Sequence, residues 1–185
     1  MNHYSNITLR GPEQSEVLAY LKSHGDVAYI SPPFRGALVV FHEDLSVQED
    51  LASRLSSHFA CPALLVMAFG EAVLFYQLYE AGEQTDAYVS SPHGDLDLPS
   101  PIPEGNAERL CAAFGIERAQ WRVESILRKE GKPGQPYAYA INRHGELMSA
   151  LGLPLFAAGT GFGAIEMGDL PAGGGFDPGS LVRTG

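Results

Sequence analysis

The chain has 185 residues, 45% of them hydrophobic, with 22 acidic against 12 basic side chains and a formal net charge of −10, which supplies core material for a domain of ordinary size. That balance, with no cluster of lysine and arginine, argues against nucleic acid as a partner and favours a protein with a basic surface. No stretch approaches the ~20 apolar residues of a membrane span and MNHYSNITLRG lacks a signal-like apolar core, so a cytoplasmic protein with no membrane partner is expected.

In chain order, Asn6 to Arg10 reads as a short strand and Pro12 is placed to open a helix that carries Val17, Leu18 and Leu21 inward and stops at Gly25. Asp26 to Ser31 reads as a strand, Pro32-Pro33 breaks it, and the apolar Ala37 to Phe41 is a third. Ser46 with Glu49 has capping-box spacing for a helix lined by Leu51, Leu55 and Phe59. Ala63 to Phe69 is uniformly apolar and reads as a strand buried on both sides. Strand, helix, strand, strand, helix, strand is the order of the ferredoxin-like split βαβ unit.

The stretch from Pro62 to Pro92 continues as a meander with turns at Gly70-Glu71 and Ala81-Gly82-Glu83. Val73 to Tyr79 is the best candidate for the central strand, because both its faces are apolar or aromatic. Thr85 to Ser90 is half polar, which predicts an edge strand exposing Asp86, Tyr88 and Ser90. The expected fold is therefore α+β: an antiparallel sheet with ferredoxin-like order over 1–92, extended by the meander. A proline-rich connector over 93–105, a helical part over 106–170 packed on the sheet, and a flexible tail over 171–185 follow. Asn106 is the expected cap of a helix to Phe114; further helices are predicted over Glu117 to Glu130 and between Tyr137 and Leu151, and a strand near Phe162 to Met167.

Chemistry-bearing motifs are sparse. Cys61 and Cys111 lack metal or redox spacing and read as core residues. The glycines of AAGTGFGAIEMG, residues 157–168, do not follow the strand-loop-helix pattern of a dinucleotide fingerprint, and no cofactor is expected. His42-Glu43-Asp44 reads as a strand-to-helix turn. Polar candidates gather at the rim of the meander, where Tyr79, Asp86, Tyr88, Ser90 and His93 form the expected binding set, with Asp95 and Asp97 beyond. The tyrosines would offer aromatic contact area and His93 a group that titrates near neutrality.

VLFYQLYEAGEQTDAYVSSP and ALGLPLFAAGTGFGAIEMGDLP together resemble a pattern of uncharacterised bacterial proteins, L-Y-x-L-Y-x-x-G-x-x-x-D-x-Y-x-S-x-P followed by a helical part. The resemblance implies a bacterial, intracellular α+β protein and supplies no catalytic residue. The leading expectation is a non-catalytic interaction or regulatory protein of immunity or accessory type with an acidic surface. A hydrolase using Asp86, His93 and Asp95, and a small-ligand sensor with a pocket between sheet and helices, are the alternatives.

Overall fold

In the computed structural model, which describes residues 3–70, 73–90, 101–129, 139–170 and 177–185, the first strand, Tyr4–Arg10 (β1), lies in the middle of the sheet. Its alternation puts Ile7 and Leu9 on one face and Tyr4, Asn6, Thr8 and Arg10 on the other, because successive strand side chains point oppositely. The other strands are Ala28–Ile30 (β2), Ala37–His42 (β3), Ala63–Phe69 (β4), Val73–Glu80 (β5), Glu83–Val89 (β6) and Val182–Arg183 (β7). Among the described residues every pairing is antiparallel, in the order β6-β5-β4-β1-β3-β2-β7.

The expectation that Val73 to Tyr79 forms the central strand is corrected: β5 lies second from one edge, and Phe75 is only half-buried. Apolar content misled because β1 is central yet carries Ser5, Asn6 and Thr8, all buried. Burial of β1 is decided by what covers it and cannot be read from its hydropathy.

Two helices cover the face bearing Ile7 and Leu9. Gln14–His24 (α1) begins after Glu13, whose capping box with Glu16 replaces the expected opening at Pro12, and ends at Gly25 in the left-handed conformation. Before Gln48–Phe59 (α2), Asp44 caps a 3-10 turn over Leu45–Val47, and its Oδ1 accepts from the Ser46 amide (2.8 Å) and hydroxyl (2.7 Å). Ser46 is thus a donor in the turn and not the cap of α2. Val17, Leu21, Leu51 and Leu55 pack with Ile7, Leu9, Leu38, Val40 and Leu65 in one cluster.

The opposite face is covered by Ala107–Ala113 (α3), Gln120–Arg128 (α4), Ala140–Ala150 (α5) and Phe162–Glu166 (α6). Leu110, Phe114, Val123, Leu147 and Met148 meet Val39, Phe41, Leu64, Val66, Leu74 and Tyr76 in a second cluster. Asn106 caps α3 as expected, its side chain accepting from the Arg109 amide at 2.9 Å. The expected strand near Phe162 to Met167 is instead α6, since Ile165 alone of its residues is buried and a helical turn presents one apolar side chain where a strand would bury every second one. The expected tail over 171–185 is ordered from residue 177: a 3-10 turn at Pro178–Ser180 leads into β7, which pairs with β2. Residues 171–176 lie outside the described residues. Among the described residues, no helix is long and apolar enough to cross a membrane.

Candidate functional site

The described members of the expected binding set lie on different faces of the sheet. Tyr79 is buried on the α1/α2 face, where its hydroxyl donates to Gln77 Oε1 at 3.1 Å. Asp86 and Tyr88 point to the opposite face, Asp86 half-buried beside Asn106 and Tyr88 buried against α4 and α5. The Tyr88 ring stacks on Tyr76 (5.4 Å, 24°), is only 3% exposed, and its hydroxyl donates to Leu127 O (3.0 Å) while accepting from Arg143 (2.7 Å). Ser90 closes the end of the β5–β6 ladder, its amide donating to Leu74 O and its Oγ accepting from Leu74 N, each at 2.9 Å. The expected exposure of Asp86 and Tyr88 is corrected because residues 103–106 fold back over this end of β6: Val89 N donates to Pro103 O, and Tyr88 bridges to Glu104. His93, Asp95 and Asp97 lie outside the described residues.

Asp86 Oδ2 accepts from Tyr76 Oη (2.7 Å) and Asn106 N (3.0 Å). Burial raises its pKa although both bonds act to lower it. A folded value above the unfolded one means its stabilising contribution is complete below the ordinary aspartate range and is lost as pH rises through the folded value. Asp86→Asn therefore costs less stability at pH 7 than at pH 4, which paired urea titrations of the two proteins at those pH values measure.

Two features that sequence reasoning missed carry more polar chemistry. The first is the polar face of β1. Asn6 Nδ2 donates to Ala157 O (2.7 Å) and Thr160 O (2.8 Å), fastening the strand to the glycine-rich segment. Gly161 lets that segment approach, since a Cβ there would lie 3.0 Å from Tyr4 Cβ. Gly161 thus serves close packing on β1, and Gly159, where a Cβ would run into Ile141 Cδ1, close packing on α5. Tyr4 Oη lies 3.0 Å from Nδ1 of His144, a fully buried histidine, and Arg10 donates to the carbonyls of Phe114 and Gly152. The signal was the alternation of Tyr4, Asn6, Thr8 and Arg10 with apolar residues, but alternation also describes a wet strand face.

The second feature is an open groove of about 1020 Å³ that runs along α1 to the C-terminal end of α2, lined also by Arg10 to Pro12 and Ala60 to Pro62. Tyr20 is its centre, with ring centroids of His24 and His58 at 4.2 and 4.3 Å and the Phe59 ring at 5.6 Å. Exposed Glu16, in the first turn of α1, also lines it, with Oε2 accepting from Glu13 N at 2.9 Å in the capping box. The C-terminal ends of both helices present the negative end of the peptide dipole. Arg10 turns its guanidinium away, toward the two carbonyls and the Phe114 ring. Burial pushes the Cys61 thiol up to about 11, so at neutral pH it is the protonated form that lines the wall. Aromatic faces, a carboxylate and two helix C-termini suit a cationic group with an apolar stem. Tyr20 and His24, four apart on one helix, were visible in the sequence; the arrival of His58 and Phe59 was not.

His42 stands apart from both. Its Nδ1 accepts from Asp44 N (3.0 Å) and its Nε2 lies 3.5 Å from Asp26 Oδ1, which Arg54 also approaches at 3.3 Å. The arrangement ties the β3–α2 turn to the segment before β2, in keeping with the turn expected there. Among the described residues, no group of three or more His, Cys, Asp or Glu side chains is placed to hold a metal ion.

No family model matches the chain, no curated protein matches it, and no solved structure matches it.

Proposed function

We propose that this is a non-catalytic binding protein of the cell interior, and that it engages a basic segment of a protein partner in the groove along α1 and the C-terminal end of α2. The observation that carries this reading is the Tyr20 cluster: three rings packed about Tyr20 beside Glu16, in an open concave surface. A lysine or arginine side chain lies along such rings with its charge toward the carboxylate, and the overall charge of −10 draws basic partners in. The hydroxyl of Tyr88 and Oδ2 of Asp86 already hold the fold together, which supports a binding role over a hydrolase built on that rim. We also infer that residues 4–69 form a ferredoxin-like unit. The inner strand order β4-β1-β3-β2, with α1 and α2 on one face, supports it.

The test is a titration with a lysine- and arginine-containing peptide, followed through the ring protons of His24 and His58 by NMR. Saturable shifts at both histidines are expected, with affinity at least about tenfold weaker for Tyr20→Ala and for Glu16→Lys, a loss of about 1.4 kcal/mol or more. Unmoved histidine resonances would remove the reading. Shifts caused by a small cationic metabolite and not by the peptide would favour the ligand-sensor alternative.

A further inference from the structure

The exposed side of α4 is chemically unlike the rest of this acidic chain. Buried Val123, Ile126 and Leu127 fix which side of the helix faces the core. At about 100° per residue, Arg118 in the preceding 3-10 turn, Trp121, Arg122, Ser125, Arg128 and Lys129 fall within an arc of about 120° on the outer side. All six are exposed, and Trp121, the single tryptophan of the chain, is 75% exposed. The sequence reads as a run of mixed charge with Trp121 near the core. Helical geometry separates the signs instead. Glu117 and Glu124 flank the arc on one side, and Glu124 Oε1 is taken by Arg128 Nε at 2.9 Å. Arg128 also donates to the carbonyls of Glu104 and Gly105, so its charge is used within the fold. Arg118 and Arg122 have no ion pair or hydrogen bond among the described residues.

Tryptophan and arginine are the residues most enriched at the energetic centres of protein interfaces, and a large ring left in water gains most when a partner covers it. We infer that this face of α4 docks a short acidic segment of a partner protein, with a carboxylate pair bridging Arg118 and Arg122 and an apolar side chain covering Trp121. Charge complementarity selects the occupant. The guanidiniums of Arg118 and Arg122 have no carboxylate partner among the described residues and match carboxylates in forked geometry. An extended polyanion such as a lipid surface or a nucleic acid would meet the repulsion of a chain carrying −10 overall, whereas a short segment meets only the local field. This face belongs to α4 and is separate from the groove of α1 and α2, so the two inferences stand or fall independently.

Because Trp121 is the only tryptophan, its emission reports on this face alone. The experiment titrates the full chain with a 12-residue peptide of alternating glutamate and leucine at 50 mM and 300 mM NaCl. Parallel arms use phosphatidylglycerol vesicles and a single-stranded oligonucleotide. The expected result is a saturable blue shift with the peptide, an apparent Kd at least tenfold weaker at the higher salt, and loss of the shift in R118E/R122E with unchanged circular dichroism. The neutral variant R118Q/R122Q, free of any new repulsion, falls between the two. A blue shift with vesicles or oligonucleotide and none with the peptide overturns the assignment of partner class. Emission unmoved by all three probes, or a peptide response that R118E/R122E retains, overturns the site itself.

Discussion

Gly105→Ala lowers the unfolding free energy by about 3 kcal/mol, from two separate costs. Gly105 has φ of +73°, a left-handed conformation that an alanine Cβ disfavours by about 1 kcal/mol. The added Cβ would also lie 2.5 Å from Tyr76 Oη and 3.2 Å from both Leu127 Cδ1 and Tyr88 Cβ. Tyr76 is fully buried and its hydroxyl is held by Asp86 at 2.7 Å, so it relieves the clash only by giving up that bond or opening a void against the second core cluster. Gly25→Ala is the matched control. Its φ of +73° is the same, and a Cβ there meets nothing within 4 Å among the described residues, so it carries the conformational cost alone. Urea unfolding of the two variants should therefore differ by about 2 kcal/mol, the share due to contact. Equal midpoints would mean that the Tyr76–Asp86–Asn106 joint yields easily and does not fix residues 103–106 on β6.

The second large effect is acid lability centred on His144. Desolvation in the core pulls its imidazole down to about 3, far below the usual value. The ring lies parallel to Tyr4 (5.8 Å, 7°), whose own hydroxyl is pushed upward by burial and stays protonated. A depressed folded value places the full contribution of neutral His144 above the unfolded imidazole range, and it is lost as pH falls from there toward the folded value. The slope approaches about 1.4 kcal/mol per pH unit. His144→Gln removes this proton uptake. The variant is less stable at pH 7, because the Tyr4 hydroxyl loses its ring partner, but its stability falls less steeply between pH 6 and pH 4, so the gap between the two proteins narrows as pH falls. Parallel slopes in urea titrations across that range would assign the acid lability to other groups.

These two sites show why the sequence was legible in parts. The sheet and α2 were readable because Leu51 and Leu55 recur at helical spacing, and the runs Ala37 to Phe41 and Ala63 to Val66 are apolar throughout and buried on both faces. The rim of the meander departs from the expectation because Asp86 and Tyr88 are polar and lie on an edge strand, which describes an exposed face unless a segment from elsewhere covers it. That cover comes from residues 103–106, behind a proline-rich stretch with no periodicity of its own.

The elements whose apolar residues recur at strand or helix period, and hence a mixed α/β chain with a largely antiparallel meander, follow from the order of the residues alone. The overall acidity follows from the composition. Long-range packing is what puts β1 at the centre of the sheet, buries its polar face against the glycine-rich segment, and brings Tyr20 and His58 into one groove. It likewise leaves the cations around Trp121 on one side of α4 facing outward. The reason is common to all four: hydropathy records what a side chain can bury, whereas the partner that buries it, or leaves it bare, arrives from a distant part of the chain.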